Sequence, residues 1–289
     1  MTRGHNYLRG FIGSASTKYI WINNKISIWV AAIETLSKTT IKWPQTAYAG
    51  FTFCLQNERL YFQHVVAGIG AQLAPLKRMI WGHFLPSLIG IPLCEIDKDY
   101  QNLFTHSVKT GGLAVCNPCK TAEYALETRK MMTRNLVTSL VENDVLFDAV
   151  EHRRAVSLAS VGARKERLTQ ERLVLEECGE HNPATKRRDE RACKAGLWLS
   201  VYPGCLNSTI LAANECRDNV RLRYNHVPLD MHEHCDGCRT RMIAEHALSC
   251  KKGDLVHIRH DDAADKWRRL CGCAFSFGRV EHKSVGKQP

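Results

Sequence analysis

Apolar residues near the start of the chain recur at helical spacing. They follow one another in steps of four or three residues, at Ile22, Ile26, Trp29, Ile33 and Leu36. Such steps place all five side chains on one face of an α-helix. The pattern therefore predicts an amphipathic helix here, with this face turned toward a protein core.

Similar spacing, together with prolines and capping residues, predicts further helices. They cover 46–65, a segment beginning at Pro75, 121–142, most of 145–180, 209–224 and 256–270. Thr121 and Thr209 are expected to cap the helices that they begin. In the helix after Thr121, the residues expected to face inward are Ala125, Met132, Leu136 and Leu140.

The remaining segments are predicted to be short extended pieces or linkers. Residues 1–20 contain short apolar pairs around glycines and are expected to be extended with turns. Residues 198–202 precede a Pro-Gly pair and are expected to form a short strand, whereas the polar stretch 181–196 is typical of a linker. The predicted fold class is therefore mainly α, with a small cysteine-rich module toward the C-terminus.

Composition narrows the class of protein. The 289 residues suffice for one large domain or two ordinary ones, and 44% hydrophobic residues exclude a wholly disordered chain. No apolar run approaches the roughly 18 residues of a membrane span, and residues 1–6 lack the apolar core of a secretory signal. We therefore expect an intracellular protein, nuclear or cytoplasmic, without a membrane partner. In such a reducing compartment, thirteen cysteines indicate metal binding or buried thiols.

The charge balance is basic, with 40 Lys and Arg against 29 Asp and Glu and a formal net charge of +11. An excess of positive charge favours an anionic partner, above all nucleic acid. An ordinary solvated surface explains the same excess equally well. Charge alone leaves both interpretations open.

The strongest chemical pattern is Cys-x2-Cys-x7-His-x3-Cys, formed by Cys235, Cys238, His246 and Cys250. Gly237, at the third position of the first pair, is expected to make the tight turn that aims two sulfurs at one point. His246 and Cys250 lie four residues apart, on one face of a helical turn. Three thiolates and one imidazole complete a tetrahedron without a water ligand, which indicates a structural Zn²⁺ rather than a catalytic one. The alternative is three unrelated thiols and a surface histidine.

Basic residues flank this pattern and are predicted to hold a phosphate backbone. The candidates are Arg239, Arg241, Lys251, Lys252, Arg259 and His260. Nearby acidic residues balance the positive charge in number. A basic face therefore requires that acidic and basic side chains lie on different sides of the module. Further cysteines and histidines surround the four ligands, and we interpret these as surface histidines and buried thiols. They are His232, His234, His257, Cys271 and Cys273, with Cys116 and Cys119 as an isolated second pair.

These residues carry a resemblance to a known family. The runs 234–238, 246–253, 255–256 and 259–261 look like the segment after the polymerase in non-LTR retrotransposon reverse transcriptases. The branch in question is the one with a restriction-enzyme-like endonuclease. Weaker similarity to the same family extends over most of the chain, at 7–13, 44–50, 111–114, 198–200, 207–209, 217–219 and 222–224.

The resemblance implies four parts. They are a palm-edge remnant at 1–20, a helical thumb-like domain at 21–143, a charged helix and linker at 144–197, and a C-terminal region at 198–289 with a zinc knuckle at 235–250 and a following helix. It also implies a grip on template RNA or target DNA, and a palm domain as a further partner.

The family's catalytic groups are missing from this sequence. Its polymerase needs an aromatic-x-Asp-Asp turn, because phosphoryl transfer by two metals requires adjacent carboxylates. The single Asp-Asp here, at 261–262, follows a histidine instead. The nuclease's Pro-Asp and acidic-x-Lys elements are not found after the Arg-His pair at 259–260. We therefore expect a fragment of an RNA-directed DNA polymerase, cut at both ends, without catalytic activity of its own.

Three alternatives remain at this level. The first is a degenerate pseudogene product without function. The second is a zinc-binding adaptor that docks on another protein. The third is a metal-dependent nuclease that uses His260, Asp261 and Asp262. Neighbouring side chains on a helix point about 100° apart, which is poor geometry for one metal site.

Overall fold

A computed structural model gives the fold of the chain. It describes residues 5–7, 10–95, 98–143, 147–180, 190–206, 209–224, 226–252 and 255–274. The chain divides into two compact units, residues 1–226 and 227–289. The described residues are mainly helical, which confirms the predicted fold class. None of the described helices is long and apolar enough to cross a membrane.

The first unit opens with a short antiparallel hairpin of β1 (His5–Tyr7) and β2 (Gly10–Ile12). The helices that follow in this unit are α1 (Ala15–Thr39), α2 (Pro44–Ala49), α3 (Gln56–Val65), α4 (Ala74–Met79), α5 (Leu85–Ile89), α6 (Lys98–Leu103), α7 (Pro118–Glu142), α8 (Ala149–Glu180) and α9 (Ala213–Arg223). Residues 190–195 are also helical. Short 3-10 turns lie at Ala71–Leu73, Leu93–Glu95, Val108–Thr110 and Leu197–Ser200.

The second unit holds two helices among its described residues. They are α10 (Ala244–Ser249) and α11 (Leu255–Ala274). The second of these confirms the helix predicted over 256–270. An isolated antiparallel bridge joins His234 to Arg241 around the first cysteine pair.

The first helix begins earlier than predicted. The extended segment ends at Ile12, and α1 starts at Ala15, so the prediction of extended structure is wrong for 15–20. Ser14 causes the early start, because its hydroxyl accepts the backbone N–H of Thr17 at 3.3 Å and caps the first turn.

The predicted inner face of α1 forms one wall of the core. Ile22, Ile26, Trp29 and Ile33 are buried, and Leu36 is half-buried against the same cluster. Trp29 meets Phe62 edge to face, with ring centroids 5.0 Å apart. The period-3.6 pattern therefore identified the core side of this helix correctly.

Two π-helical segments interrupt helices that the sequence predicts as regular. Gly50–Leu55 joins α2 to α3, and Ile80–Phe84 joins α4 to α5. Phe51 in the first segment stacks on Phe84 in the second, with centroids 4.6 Å apart, and both rings are buried. The wider turns thus occur where the two helices bring large aromatic side chains together.

Side chains rather than a β-sheet fix the extended stretch before α7. Four buried polar side chains, from α2 and successive turns of α3, each donate to a backbone carbonyl of this stretch or of the first residue of α7. The donors Tyr48, Gln56, Arg59 and Gln63 reach the carbonyls of Leu113, Ala114, Cys116 and Pro118 at 2.8, 2.8, 3.2 and 2.7 Å, respectively. Burial lowers the pKa of Arg59 to about 10, although the Cys116 and Cys119 thiols act in the opposite direction.

The start of α7 corrects one predicted cap. The helix begins at Pro118 and is capped by Asn117, whose side-chain oxygen accepts the backbone N–H of Cys119 at 3.1 Å. Thr121 lies within the first turn and donates its hydroxyl to the Asn117 carbonyl at 2.9 Å. Leu140 was expected to face inward but is 72% exposed. The C-terminal part of α7 that carries Leu140 therefore lies outside the core.

The segment before α9 corrects two more predictions. Residues 198–202 do not form a strand, because a 3-10 turn, Leu197–Ser200, turns the side chain of Leu199 into the core. Thr209 does not begin the next helix. It accepts the backbone N–H of Gly204 at 2.9 Å and closes a loop, while α9 starts at Ala213. Glu215 caps that helix by accepting the backbone N–H of Ala212 at 2.9 Å.

Candidate metal centre

Four side chains of the second unit converge as the sequence predicts. The ligand atoms of Cys235, Cys238, His246 and Cys250 all lie within 4.8 Å of one another. The sulfur of Cys250 is 3.7 Å from that of Cys235 and 3.9 Å from that of Cys238. His246 points its Nε2 atom at Cys238 Sγ, 3.1 Å away. The four residues could therefore hold one metal ion.

A tight turn brings the first two sulfurs together. The backbone N–H of Arg239 donates to the carbonyl of Cys235 at 2.8 Å, and the N–H of Cys235 donates to the carbonyl of Thr240 at 2.8 Å. Arg239 adopts a left-handed backbone with φ of 61°. A non-glycine residue in this region carries a cost, so the turn is held by its surroundings.

Gly237 is needed for a different reason from the one that the spacing suggested. A Cβ atom at this position would lie 2.9 Å from the Cβ of Lys252. The cysteine turn and the segment after Cys250 therefore approach each other too closely for any side chain at Gly237. This contact joins the two halves of the ligand set.

The short helix α10 presents the other two ligands. His246 lies within the helix, and Cys250 follows its last residue directly. The backbone N–H of Cys250 donates to the His246 carbonyl at 2.8 Å, which closes the last turn and places both side chains on one side. The predicted four-residue spacing therefore works as expected.

The surroundings of the cluster favour the ionised sulfurs at the first pair. The His246 side chain, followed by the backbone N–H groups of Cys238 and Gly237, lowers the pKa of Cys235 to about 6. The hydroxyl of Thr240, 3.3 Å from Cys238 Sγ, lowers the pKa of that thiol. Thiolates bind metals and thiols do not, so these contacts prepare the pair for an ion.

The pKa values of the other two residues of the cluster are raised. The contact with Cys235 raises the pKa of His246. At Cys250 the backbone N–H of Lys252 lowers the pKa, but burial and the neighbouring Cys235 and Cys238 thiols outweigh it, and the pKa is raised. Four titratable groups thus lie close together, an arrangement that a bound cation stabilises.

Four of the predicted phosphate-binding residues lie close in sequence to the cluster. Arg239, Arg241, Lys251 and Lys252 are exposed, and none forms an ion pair with a described residue. The side chain of Arg259 lies outside the described residues.

The proposed nuclease residues lie on α11 and are exposed. His260 Nδ1 contacts Asp261 Oδ1 at 3.3 Å, and Asp262 is also exposed. In the part of the chain that the structure describes, these residues belong to no cluster of three metal-binding side chains. The same is true of the half-buried pair Cys116 and Cys119.

Sequence reasoning missed the residues that support the ligands. Thr240 and the backbone of Lys252 contact the sulfurs, and neither was considered for this role. The available signal was a hydroxyl residue two positions after the second cysteine. The remaining neighbours, His232, His234 and His257, are exposed, as expected for surface histidines.

Comparisons with known proteins identify no relative: no protein-family model matches the chain, and no curated protein or solved structure matches it significantly.

Proposed function

We propose that this protein binds nucleic acid through a structural zinc knuckle and adjacent basic side chains, as part of a non-LTR retrotransposon reverse transcriptase of the restriction-like-endonuclease branch. One observation carries the proposal. Three cysteines and one histidine converge within 4.8 Å, and four exposed cations lie within three residues after Cys238 or Cys250 in the chain. The family resemblance supplies the context for this pairing.

The donor set favours zinc over other common ions. Thiolate and imidazole ligands suit Zn²⁺, whereas Mg²⁺ and Ca²⁺ select oxygen ligands. A tetrahedron with Zn–S bonds of about 2.3 Å places its sulfurs about 3.8 Å apart. The distances of 3.7 and 3.9 Å from Cys250 Sγ to the other two sulfurs match this value. Four protein ligands leave no position for a reactive water, so the ion has a structural role.

The basic side chains supply the affinity for a phosphate backbone. Arg239 follows the second cysteine, and Lys251 and Lys252 follow the fourth ligand. The backbone of Lys252 packs on Gly237, so the zinc site holds these two basic segments next to each other. A contact of this kind positions the protein on RNA or DNA without reading sequence.

The proposal assigns binding and not chemistry to these residues. The aromatic-x-Asp-Asp element of the family's polymerase is absent from the printed sequence. The exposed helix carrying His260, Asp261 and Asp262 offers no convergent metal site in its described part. A degenerate product without function is the competing proposal, and it predicts that zinc and nucleic-acid binding are no longer linked.

The test compares two cysteine variants of the full chain. Cys235→Ser is expected to release the zinc, measured by metal analysis after gel filtration, and to weaken binding of a fluorescent single-stranded RNA and a DNA duplex. Cys205→Ser is the matched control, because Cys205 is an exposed cysteine outside the cluster. It should keep both properties.

Salt dependence separates the outcomes. Loss of the basic contacts should lower the slope of log K against log salt by about 0.9 for each phosphate contact on duplex DNA. If Cys235→Ser loses zinc but binds both nucleic acids with unchanged affinity and slope, the knuckle does not anchor the complex and the proposal fails. Wild-type protein without bound zinc would contradict it as well.

A further inference from the structure

We propose that α8 carries a second contact for the phosphate backbone of nucleic acid, an outward ridge formed by Arg154, Lys165 and Arg172. This inference rests on the proposed nucleic-acid-binding function, but it concerns a different part of the chain. The three residues lie in the first unit, on a helix in the region predicted from the sequence only as a charged helix and linker.

The three cations lie on one line along the helix. Their spacings of eleven and seven residues correspond to about three and two turns, so the side chains leave the helix within about 20° of one another. The line is about 27 Å long at 1.5 Å per residue. Arg164 follows the same stretch on an adjacent line and is also exposed.

In the N-terminal half of α8 the ridge lies opposite the half-buried side of the helix. That side contains the half-buried alanines Ala155, Ala159 and Ala163, four residues apart. α8 packs on α7, and small side chains allow the two helices to approach closely. Arg154 and Lys165 are therefore turned to solvent. Arg172 lies about 100° around the helix from the buried Glu171 and is exposed as well.

A buried carboxylate holds the C-terminal half of α8 to the rest of the unit. Glu171 accepts the hydroxyl of Thr110 at 2.6 Å and the backbone N–H of Ser107 at 3.0 Å. This anchor comes one residue before Arg172. The ridge is thus built on a rigid element, which reduces the entropic cost of holding its cations in line.

None of the three cations is committed to a partner within the protein. Arg154, Lys165 and Arg172 form no ion pair or side-chain hydrogen bond with a described residue, and all are exposed. Arg167, in contrast, pairs with Glu171 at 3.7 Å. The two guanidinium groups can bind phosphates in a bidentate manner, and the ammonium group of Lys165 adds a point charge between them.

The pattern of the ridge favours nucleic acid over a membrane. A membrane-surface helix separates an apolar face from a cationic one. Here the exposed apolar residues Leu158 and Val161 lie between the cations on the same ridge. No exposed aromatic side chain accompanies them among the described residues of α8.

The test uses charge reversal in the full, zinc-loaded chain. The variant R154E/K165E/R172E is compared with K42E/K77E/R78E, which makes the same change of charge at exposed residues elsewhere in the first unit. The probe is a fluorescent 20-base-pair duplex titrated at several salt concentrations. The ridge variant should lower the salt slope by about 2.7, or 0.9 for each of three lost contacts, and the control should lower it far less.

Each outcome decides the inference. Equal losses in both variants would mean that only overall charge matters, and the ridge would not be a site. Loss of binding in Cys235→Ser with an unchanged ridge variant would overturn this inference and leave the proposed function intact. If neither Cys235→Ser nor the ridge variant alters binding, both proposals fail. If the ridge variant alters binding only to phosphatidylserine vesicles, or only to an acidic helical peptide, the nucleic-acid assignment is overturned.

Discussion

The two units of the chain are ordered by different physical means. The first unit buries a continuous apolar cluster, with fully enclosed side chains such as Phe84, Leu85 and Phe104. Among the described side chains of the second unit, the buried ones are Cys235 and Cys250. Its long helix α11 presents exposed apolar residues, including Trp267 at 68% exposure.

The contrast shows what each unit depends on. Burial of apolar surface stabilises by about 25 cal/mol for each Å², so we expect the first unit to fold without a ligand. A unit that buries two thiols in place of a core gains little from this effect. Small domains of this kind obtain their stability from metals or disulfides. We therefore expect the second unit, and not the first, to require an ion.

The largest expected effect comes from metal removal. A chelator such as EDTA should unfold residues 227–252, because the ligand atoms then repel or must take up protons. The first unit should keep its helical circular dichroism. Hydrogen exchange followed by mass spectrometry measures both units in one sample. Uniform loss of protection over the whole chain would break the comparison, since the first unit would then depend on the ion too.

Truncation of a core side chain should have the opposite effect: it should destabilise the first unit and leave the second unchanged. Phe84→Ala removes a fully buried ring that stacks on Phe51, and we expect it to destabilise the first unit by about 3–5 kcal/mol. Zinc affinity should be unchanged. Denaturant unfolding and a competition assay for zinc provide the two measurements. The control is Ile20→Ala, at an exposed position of α1, with an expected cost below about 0.5 kcal/mol.

Two glycine substitutions sharpen the comparison. Gly237→Ala forces a methyl group to within 2.9 Å of Lys252 Cβ and should weaken zinc binding by about 10–100-fold. Gly162→Ala, in the middle of α8, meets no atom within 4 Å. It should stabilise the first unit by about 0.5–1 kcal/mol. If Gly237→Ala strengthens zinc binding, just as Gly162→Ala stabilises the first unit, the close approach at Gly237 does not limit the metal site.

The last effect is a pH dependence of the first unit, confined to alkaline conditions. Burial raises the pKa of the Cys216 thiol from 9.0 to about 11. The unfolded thiol ionises first, so the native state binds more protons between pH 9 and 11, and stability falls as the pH rises through that range. The contribution is at most about 3 kcal/mol. Cys216→Ala should flatten this decline, measured by urea unfolding at several pH values.

An exposed cysteine provides the control for this last experiment. Cys205→Ala should leave the alkaline decline of stability as steep as in the wild type, because Cys205 is exposed. If both variants have the same slope between pH 9 and 11, the buried thiol is not responsible.

Local patterns in the sequence determined much of this protein. The period of apolar residues identified a helix around 22–36 and its core face, although not its start at Ala15, because helical spacing is a property of neighbouring residues. The cluster of three cysteines and one histidine followed from spacing for the same reason. All four lie within a short segment, so a turn and one helical step suffice to bring them together.

Contacts between distant residues decided the rest. The polar side chains of α3 bind the backbone of residues 114–118, more than fifty positions away in the chain. The π-helical segments accompany the packing of Phe51 on Phe84. Leu140 is exposed because the C-terminal part of α7 extends beyond the core. None of these features has a local signature. They depend on which surfaces meet, and only the tertiary structure specifies that.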